Sequence, residues 1–198
     1  MFNNIIDILP EQEYQILKNI FASFKFDWHY LPSTVLPEVK EMVRSVNSHV
    51  LYDSEQFVHV LYDQQPVSEY WDIVKPIKTN IEQKQKIKIV ELGRVKANLL
   101  IKSRDTRRLI NTPHIDKDVE GWHSMVFYVN QSDGDTVLFD KKSNQGFENL
   151  KIIDSHSPKA NCAVMFESDR YHTSSNPVDN ATRIVLNFIF KIQNEQQL

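Results

Sequence analysis

The stretch CAVMFESDRYHTSSNPVDNATRIVLNFIFKI, residues 162–192, is two apolar runs, 163–166 and 182–192, on either side of a polar segment. That segment contains Ser174-Ser175-Asn176-Pro177, a cluster of turn formers, so the runs read as two short strands joined through a turn. The same texture extends upstream to Gly93. Residues 94–102, 122–130, 135–139 and 150–153 are further short runs rich in Val, Ile, Leu and Phe, with Gln131-Ser132-Asp133-Gly134 as another turn signal. Many short strands at near-regular spacing predict a sandwich or a barrel.

The first half has a different period. Residues 4–9 read as a short strand, with Pro10 placed where a helix starts. Tyr14, Leu17, Phe21 and Phe24 recur at spacings of three and four, which predicts an amphipathic helix over 11–23. A second helix is predicted from Pro37, with Val39, Met42, Val43, Val46 and Val50 on one face, and a strand over 57–62. A third helix is expected from Ser68, interrupted or bent at Pro76. Helices precede strands, so the fold class is α+β in a single domain, 1–198. Residues 1–93 form its helix-rich N-terminal half and residues 94–191 its β-rich core.

Composition bounds the function without naming it. The 198 residues are 41% hydrophobic, 25% charged and 11% aromatic, an ordinary globular mixture. A formal net charge of −3 gives no global signal for nucleic acid or an anionic membrane. Cys162 is the only cysteine, which excludes an intramolecular disulfide and any zinc site with two thiolates. The first ten residues lack a basic region and a long apolar run, so neither a secretory leader nor a membrane span is read there. A reducing cytoplasm is the expected compartment.

Of seven histidines, only His114 has an aspartate two residues on, in Pro113-His114-Ile115-Asp116. In an extended segment, residues i and i+2 point to one face, so an imidazole and a carboxylate can approach one metal together. His172, from another strand, would complete a 2-His-1-carboxylate set. Such a set leaves open positions on a metal, as non-haem Fe(II) oxygenases require. Taken alone, the His-x-Asp pair reads more readily as a polar turn than as a ligand pair. Its downstream neighbours give it weight: Phe127-Tyr128-Val129-Asn130, then Gly134-Asp135-Thr136-Val137-Leu138-Phe139, the run 162–166, His172 and, eleven residues later, Arg183.

This order resembles the prolyl-hydroxylase-like superfamily of 2-oxoglutarate/Fe(II)-dependent oxygenases, over about residues 94–191. The resemblance implies a double-stranded β-helix, or jelly roll, with the N-terminal helices packed against it. It implies His114, Asp116 and His172 as iron(II) ligands and Arg183 as partner of the 2-oxoglutarate C5 carboxylate. Tyr128 would support that carboxylate through its hydroxyl, the alternative being core packing. The implied reaction consumes dioxygen and 2-oxoglutarate, releases succinate and CO2, and hydroxylates a small-molecule or peptidyl substrate.

Physical chemistry supports the arginine independently. A buried co-substrate carboxylate needs a paired partner, and a guanidinium fork matches it. The alternative for Arg183 is an edge-strand side chain reaching solvent. Alternation on the last strand places Asn187 on the face of Arg183, either beside the iron or in a structural hydrogen bond. Ser124 and Val126 share the face of Tyr128, where either could line the co-substrate pocket. Asn98 and Lys102 are candidates for the C1 carboxylate. The chain departs from the family pattern at Asp133-Gly134-Asp135, a single glycine for a usual pair, and at Val185, where a hydroxyl is common.

Other features have simpler readings. Lys102, Arg104, Arg107 and Arg108 form a basic cluster, either solvated or a lip for an anionic substrate. His123 is expected to face away from the metal and His156 to sit exposed in a turn. Trp28, Trp71 and Cys162 read as core. Two rival functions remain open: a cupin-type metal enzyme that does not use 2-oxoglutarate, and a non-catalytic jelly-roll binding module.

Overall fold

The structure is a computed structural model that describes residues 1–35, 37–44, 53–105 and 109–193. Strand β1 (Asn3–Ile5) leads into helix α1 (Glu11–Phe21), which begins directly after Pro10 and buries Tyr14, Leu17 and Phe21 at the predicted spacing, while Phe24 lies past its end and is exposed. Strand β2 (His29–Leu31) and helix α2 (Pro37–Arg44) follow. Val46 and Val50 of the predicted apolar stripe lie outside the described residues. Next come β3 (Gln56–Asp63), the two-residue β4 (Gln65–Pro66) and α3 (Trp71–Gln85).

Helix α3 continues through Pro76, so the interruption expected as one of two outcomes does not occur. The proline forfeits one backbone hydrogen bond, but Val74, Ile77 and Ile81 are wholly buried and hold the helix to the sheet. The Asn80 side chain donates to the Pro76 carbonyl at 2.9 Å.

Seven strands complete the chain: β5 (Lys88–Ile101), β6 (Trp122–Tyr128), β7 (Thr136–Lys142), β8 (Ile152–His156), β9 (Cys162–Glu167), β10 (Arg170–Ser174) and β11 (Thr182–Gln193). They form two antiparallel sheets. The larger runs β1-β9-β6-β11-β5-β3-β2, with β4 paired to β3, and the smaller runs β10-β7-β8. The result is a jelly roll with helices packed on it, the predicted class. All three α-helices found among the described residues lie in 1–93, and β1 to β4 with the start of β5 also belong to that half and extend the larger sheet at both edges.

Alternation separates two cores. Met125, Phe127, Ile184, Leu186, Phe188 and Phe190 enter the large cluster beneath α1 and α3. Val126, Tyr128, Val164, Phe166 and Val185, from the opposite face, pack with Leu138 of the smaller sheet. This second face lines the interior of the jelly roll, so every odd position of β11 from Arg183 to Ile189 and every even position of β6 points toward it. No helix among the described residues is long and apolar enough to cross a membrane.

Candidate metal centre and its cavity

His114 does not lie in a regular strand, as the i/i+2 reading supposed. It forms an isolated antiparallel bridge with His172 of β10, each backbone N–H donating to the other's carbonyl at 3.0 and 2.9 Å. The side chains of His114 and Asp116 nonetheless converge. One nitrogen each of His114 and His172 and one carboxylate oxygen of Asp116 lie within 4.8 Å of one another.

Each ligand candidate is oriented from behind. His114 Nδ1 lies 3.3 Å from the Thr112 carbonyl, and His172 Nδ1 lies 3.0 Å from the Arg170 carbonyl. A carbonyl only accepts, so each Nδ1 carries the proton and each Nε2 keeps its lone pair for the site. The Asp116 carboxylate accepts from the Ser124 hydroxyl at 2.7 Å and from the Asn187 amide at 3.2 Å to both oxygens. Ser124 is shared with Ser168 at 2.8 Å, and the backbone N–H of Asp116 donates to the Ser168 carbonyl at 3.0 Å.

Burial would raise the Asp116 pKa, but the charge and hydrogen bond of His172, with His114 and Ser124, hold it well below the usual carboxylate range. Burial, reinforced by His172, lowers His114 to about 4 against the pull of Asp116. A deprotonated carboxylate and a neutral imidazole are the forms that bind a divalent metal. Two imidazoles and one carboxylate, each with a fixed second partner, suit such an ion.

The centre opens into a cavity of about 640 Å³, which fits a small ligand. Arg183 belongs to its wall and is only 4% exposed. Its Nε donates to the Gly134 carbonyl at 2.7 Å and one terminal nitrogen donates to Thr136 Oγ1 at 2.8 Å. Among the described residues, no carboxylate forms an ion pair with it. The single glycine is explained by close approach: a Cβ at Gly134 would sit 2.7 Å from the Ser175 carbonyl oxygen and 2.9 Å from Arg183 Cδ.

Two sequence assignments change. Tyr128 is fully buried and does not belong to the cavity wall. Its hydroxyl donates to Thr136 Oγ1 at 2.9 Å, while His156 stacks on its ring at 5.4 Å. Thr136 does line the cavity. Its oxygen accepts from both Tyr128 and Arg183, so its own proton is left to donate. Burial pushes Tyr128 up to about 12 despite nearby Arg183, which keeps it a donor. Ser124 likewise stands behind Asp116 instead of lining the pocket, whereas Val126 does line it.

Asn187 and Asn98 face the cavity as alternation requires, and Lys102 does not. Lys102 and Arg104 are exposed outside the cavity wall, while Arg107 and Arg108 lie outside the described residues. His123 stacks on Phe190 away from the centre. His156 ends β8, half-buried, where an exposed turn was expected. Trp71 and Cys162 are buried as predicted, and Trp28 packs against the main core. The sequence reading missed Thr136, Arg94 and Lys96. Only the i/i+2 parity of β5 with Asn98 could have revealed the last two.

No family model matches the chain, and no curated protein matches it. Solved structures do. A 2OG-Fe(II) oxygenase family oxidoreductase from Burkholderia pseudomallei superposes with a TM-score of 0.61 at 12% identity, covering 94% of this chain and 82% of that one. The non-heme alpha-ketoglutarate-dependent epimerase SnoN, from nogalamycin biosynthesis, gives 0.59 at 10% identity, covering 96% and 78%. A Pseudomonas putida prolyl-4-hydroxylase gives 0.51 at 14% identity, covering 96% and 92%. Across nearly its whole length, the chain therefore has the fold of the 2OG-Fe(II) oxygenase structures.

Proposed function

We propose that this chain is a single-domain iron(II)- and 2-oxoglutarate-dependent oxygenase that hydroxylates a substrate bound beside the metal centre. The observation that carries the reading is Arg183, a buried guanidinium with no carboxylate paired to it among the described residues, in the same cavity as the His-Asp-His set. A buried charge without a counter-ion is costly unless a ligand supplies one. Arg183 and Asn187, which holds Asp116, are four residues apart on one face of β11, roughly 13 Å along the strand. Two inward-reaching side chains and a five-carbon dicarboxylate span that separation.

In this reading His114, Asp116 and His172 hold iron(II), and Ser124 and Asn187 keep the carboxylate turned toward it. Arg183 pairs with the C5 carboxylate of 2-oxoglutarate, and Thr136 donates to the same group. Tyr128 acts one bond behind, by fixing Thr136. When bound, iron, 2-oxoglutarate and dioxygen supply the oxidant, with succinate and CO2 released. Val126 and Val185 keep the wall between centre and anchor apolar, which limits water at the reacting atoms.

A cupin-type enzyme without 2-oxoglutarate would have no use for the unpaired Arg183, and a binding module would have no use for two imidazoles held in the metal-binding tautomer. Calorimetry with Mn(II) in place of iron tests the assignment. Wild type should bind 2-oxoglutarate only with metal present. Arg183→Ala should weaken that binding at least tenfold, and His172→Ala should abolish metal uptake. Equal affinity in wild type and Arg183→Ala would refute the anchor.

A further inference from the structure

Strand β5 carries charge that the reaction above leaves unused. Arg94, Lys96, Asn98 and Leu100 face the cavity, while Val95 and Ala97 point into the main core. Lys96 lies opposite Asn187 on β11, and so beside the side chain that orients Asp116. The Lys96 ammonium is half-buried, and no hydrogen bond or ion pair reaches it among the described residues. Arg94 comes within 3.7 Å of Asp116 with one terminal nitrogen, and its buried Nε has no partner.

The charge balance of the cavity shows what these groups are for. Among the described residues of its wall, Arg94, Lys96 and Arg183 are cationic and Asp116 is the single acid, although the whole chain has a net charge of −3. A divalent metal and the 2-oxoglutarate dianion cancel one another. With both bound, three cations against one carboxylate leave an excess of two positive charges in a low-dielectric space. Arg183 is taken by the co-substrate, so the excess sits on Arg94 and Lys96, beside the metal where the substrate must lie. Strands hold both side chains, whereas a solvated surface lysine would be free to turn away.

We propose that the substrate is a small molecule with a doubly charged anionic group, a phosphate monoester or a pair of carboxylates, docked on Arg94 and Lys96 beside the metal. This rests on the oxygenase reading for the position of the metal and co-substrate. Asn98, next along the same face, supplies an amide to the same end of the ligand. The dianion offsets both cations, and its carbon skeleton extends toward the centre between β5 and the segment after β2, where Pro32 and Val35 close the wall.

The test is calorimetry on protein saturated with Mn(II) and 2-oxoglutarate, titrated at constant ionic strength with inorganic phosphate, malonate and neutral malonamide. At least one dianion should bind and malonamide should not. Preference for phosphate or malonate identifies which dianion the site takes. Lys96→Met and Arg94→Gln should each weaken dianion binding roughly tenfold or more. Lys96→Met should leave 2-oxoglutarate affinity within about threefold of wild type, unlike Arg183→Ala. The proposal is overturned if neither dianion binds, or if Lys96→Met binds it as well as wild type. It is also overturned if Lys96→Met loses 2-oxoglutarate as Arg183→Ala does, since Lys96 would then serve the co-substrate. If wild type takes up no 2-oxoglutarate, the oxygenase reading fails separately. Lys96→Met against wild type, both loaded with Mn(II) alone, then decides the dianion site by the same loss or its absence.

Discussion

At the residue scale, the candidate metal centre depends on groups outside its three ligand residues. Ser124 donates to Asp116 and is itself held by Ser168. Ser124→Ala should therefore lower metal affinity by roughly 10–100-fold with the fold intact, as read by competition with a chromogenic chelator. The lowered pKa of His114 has a separate consequence. In the unfolded chain this imidazole takes a proton near its ordinary 6.5, but in the folded one only near about 4. Between those values the unfolded state binds more protons, so the contribution of His114 to stability is full above 6.5 and lost as pH falls toward 4. Urea midpoints of metal-free protein should fall between about pH 7 and pH 4.5, and His114→Gln should flatten that portion of the profile. Lys96 has the opposite relation to function: it is half-buried, with burial and Arg94 lowering its pKa to about 8. Lys96→Met should raise the thermal midpoint of ligand-free protein by removing an uncompensated charge. A fall would show that the ammonium is satisfied after all.

At the element scale, the site rests on where strands cross, and this is what a linear reading sees least. Strand β11 was legible because Arg183 and Asn187 interrupt a long apolar run at even spacing, which puts both on one face whatever the strand pairs with. For strand β10, a strand at His172 was supposed but its bounds and partner were not legible. Its five residues RYHTS hold one large apolar side chain, and β7 alone brings it into the small sheet. Tyr128 was assigned to the cavity from its place in a motif, but whether its hydroxyl reaches the ligand depends on how β6 lies against β7. The structure interposes Thr136. Lys96 and Arg94 were not singled out, since nothing in their own sequence says that their face of β5 lines a cavity with residues of β10 and β11. Gly134 was legible as a turn, but its reason is the packing of Arg183 against it. Gly134→Ala should push the anchor out of place, weakening 2-oxoglutarate binding with little change in metal affinity. Equal losses of both would point to a general disruption of β7.

At the scale of the whole molecule, one cavity faces both sheets, and its lining charge is opposite in sign to that of the chain. Filling it should tie the sheets together, since ligands that bind only the folded state stabilise it. Metal and 2-oxoglutarate each at about a hundred times their dissociation constants should add about 2.7 kcal/mol apiece. At roughly 2–4 °C per kcal/mol for a chain of this size, the thermal midpoint should rise by several degrees with each ligand. In Arg183→Ala the metal increment should survive, while the 2-oxoglutarate increment should shrink by about 1.3 kcal/mol or more at the same concentration. The fold was recoverable from strand texture and from the order of His114, Asp116, His172 and Arg183, whereas the place of Lys96 beside Asn187 emerged only once β5 was paired with β11. Formation of succinate from 2-oxoglutarate, by purified protein given Fe(II) and dioxygen, decides whether this centre is an oxygenase. Wild type should form succinate, with none when iron or dioxygen is withheld and none in His172→Ala. Tight metal binding at this centre without any succinate, even across a panel of phosphorylated and dicarboxylate substrates, would refute the oxygenase reading.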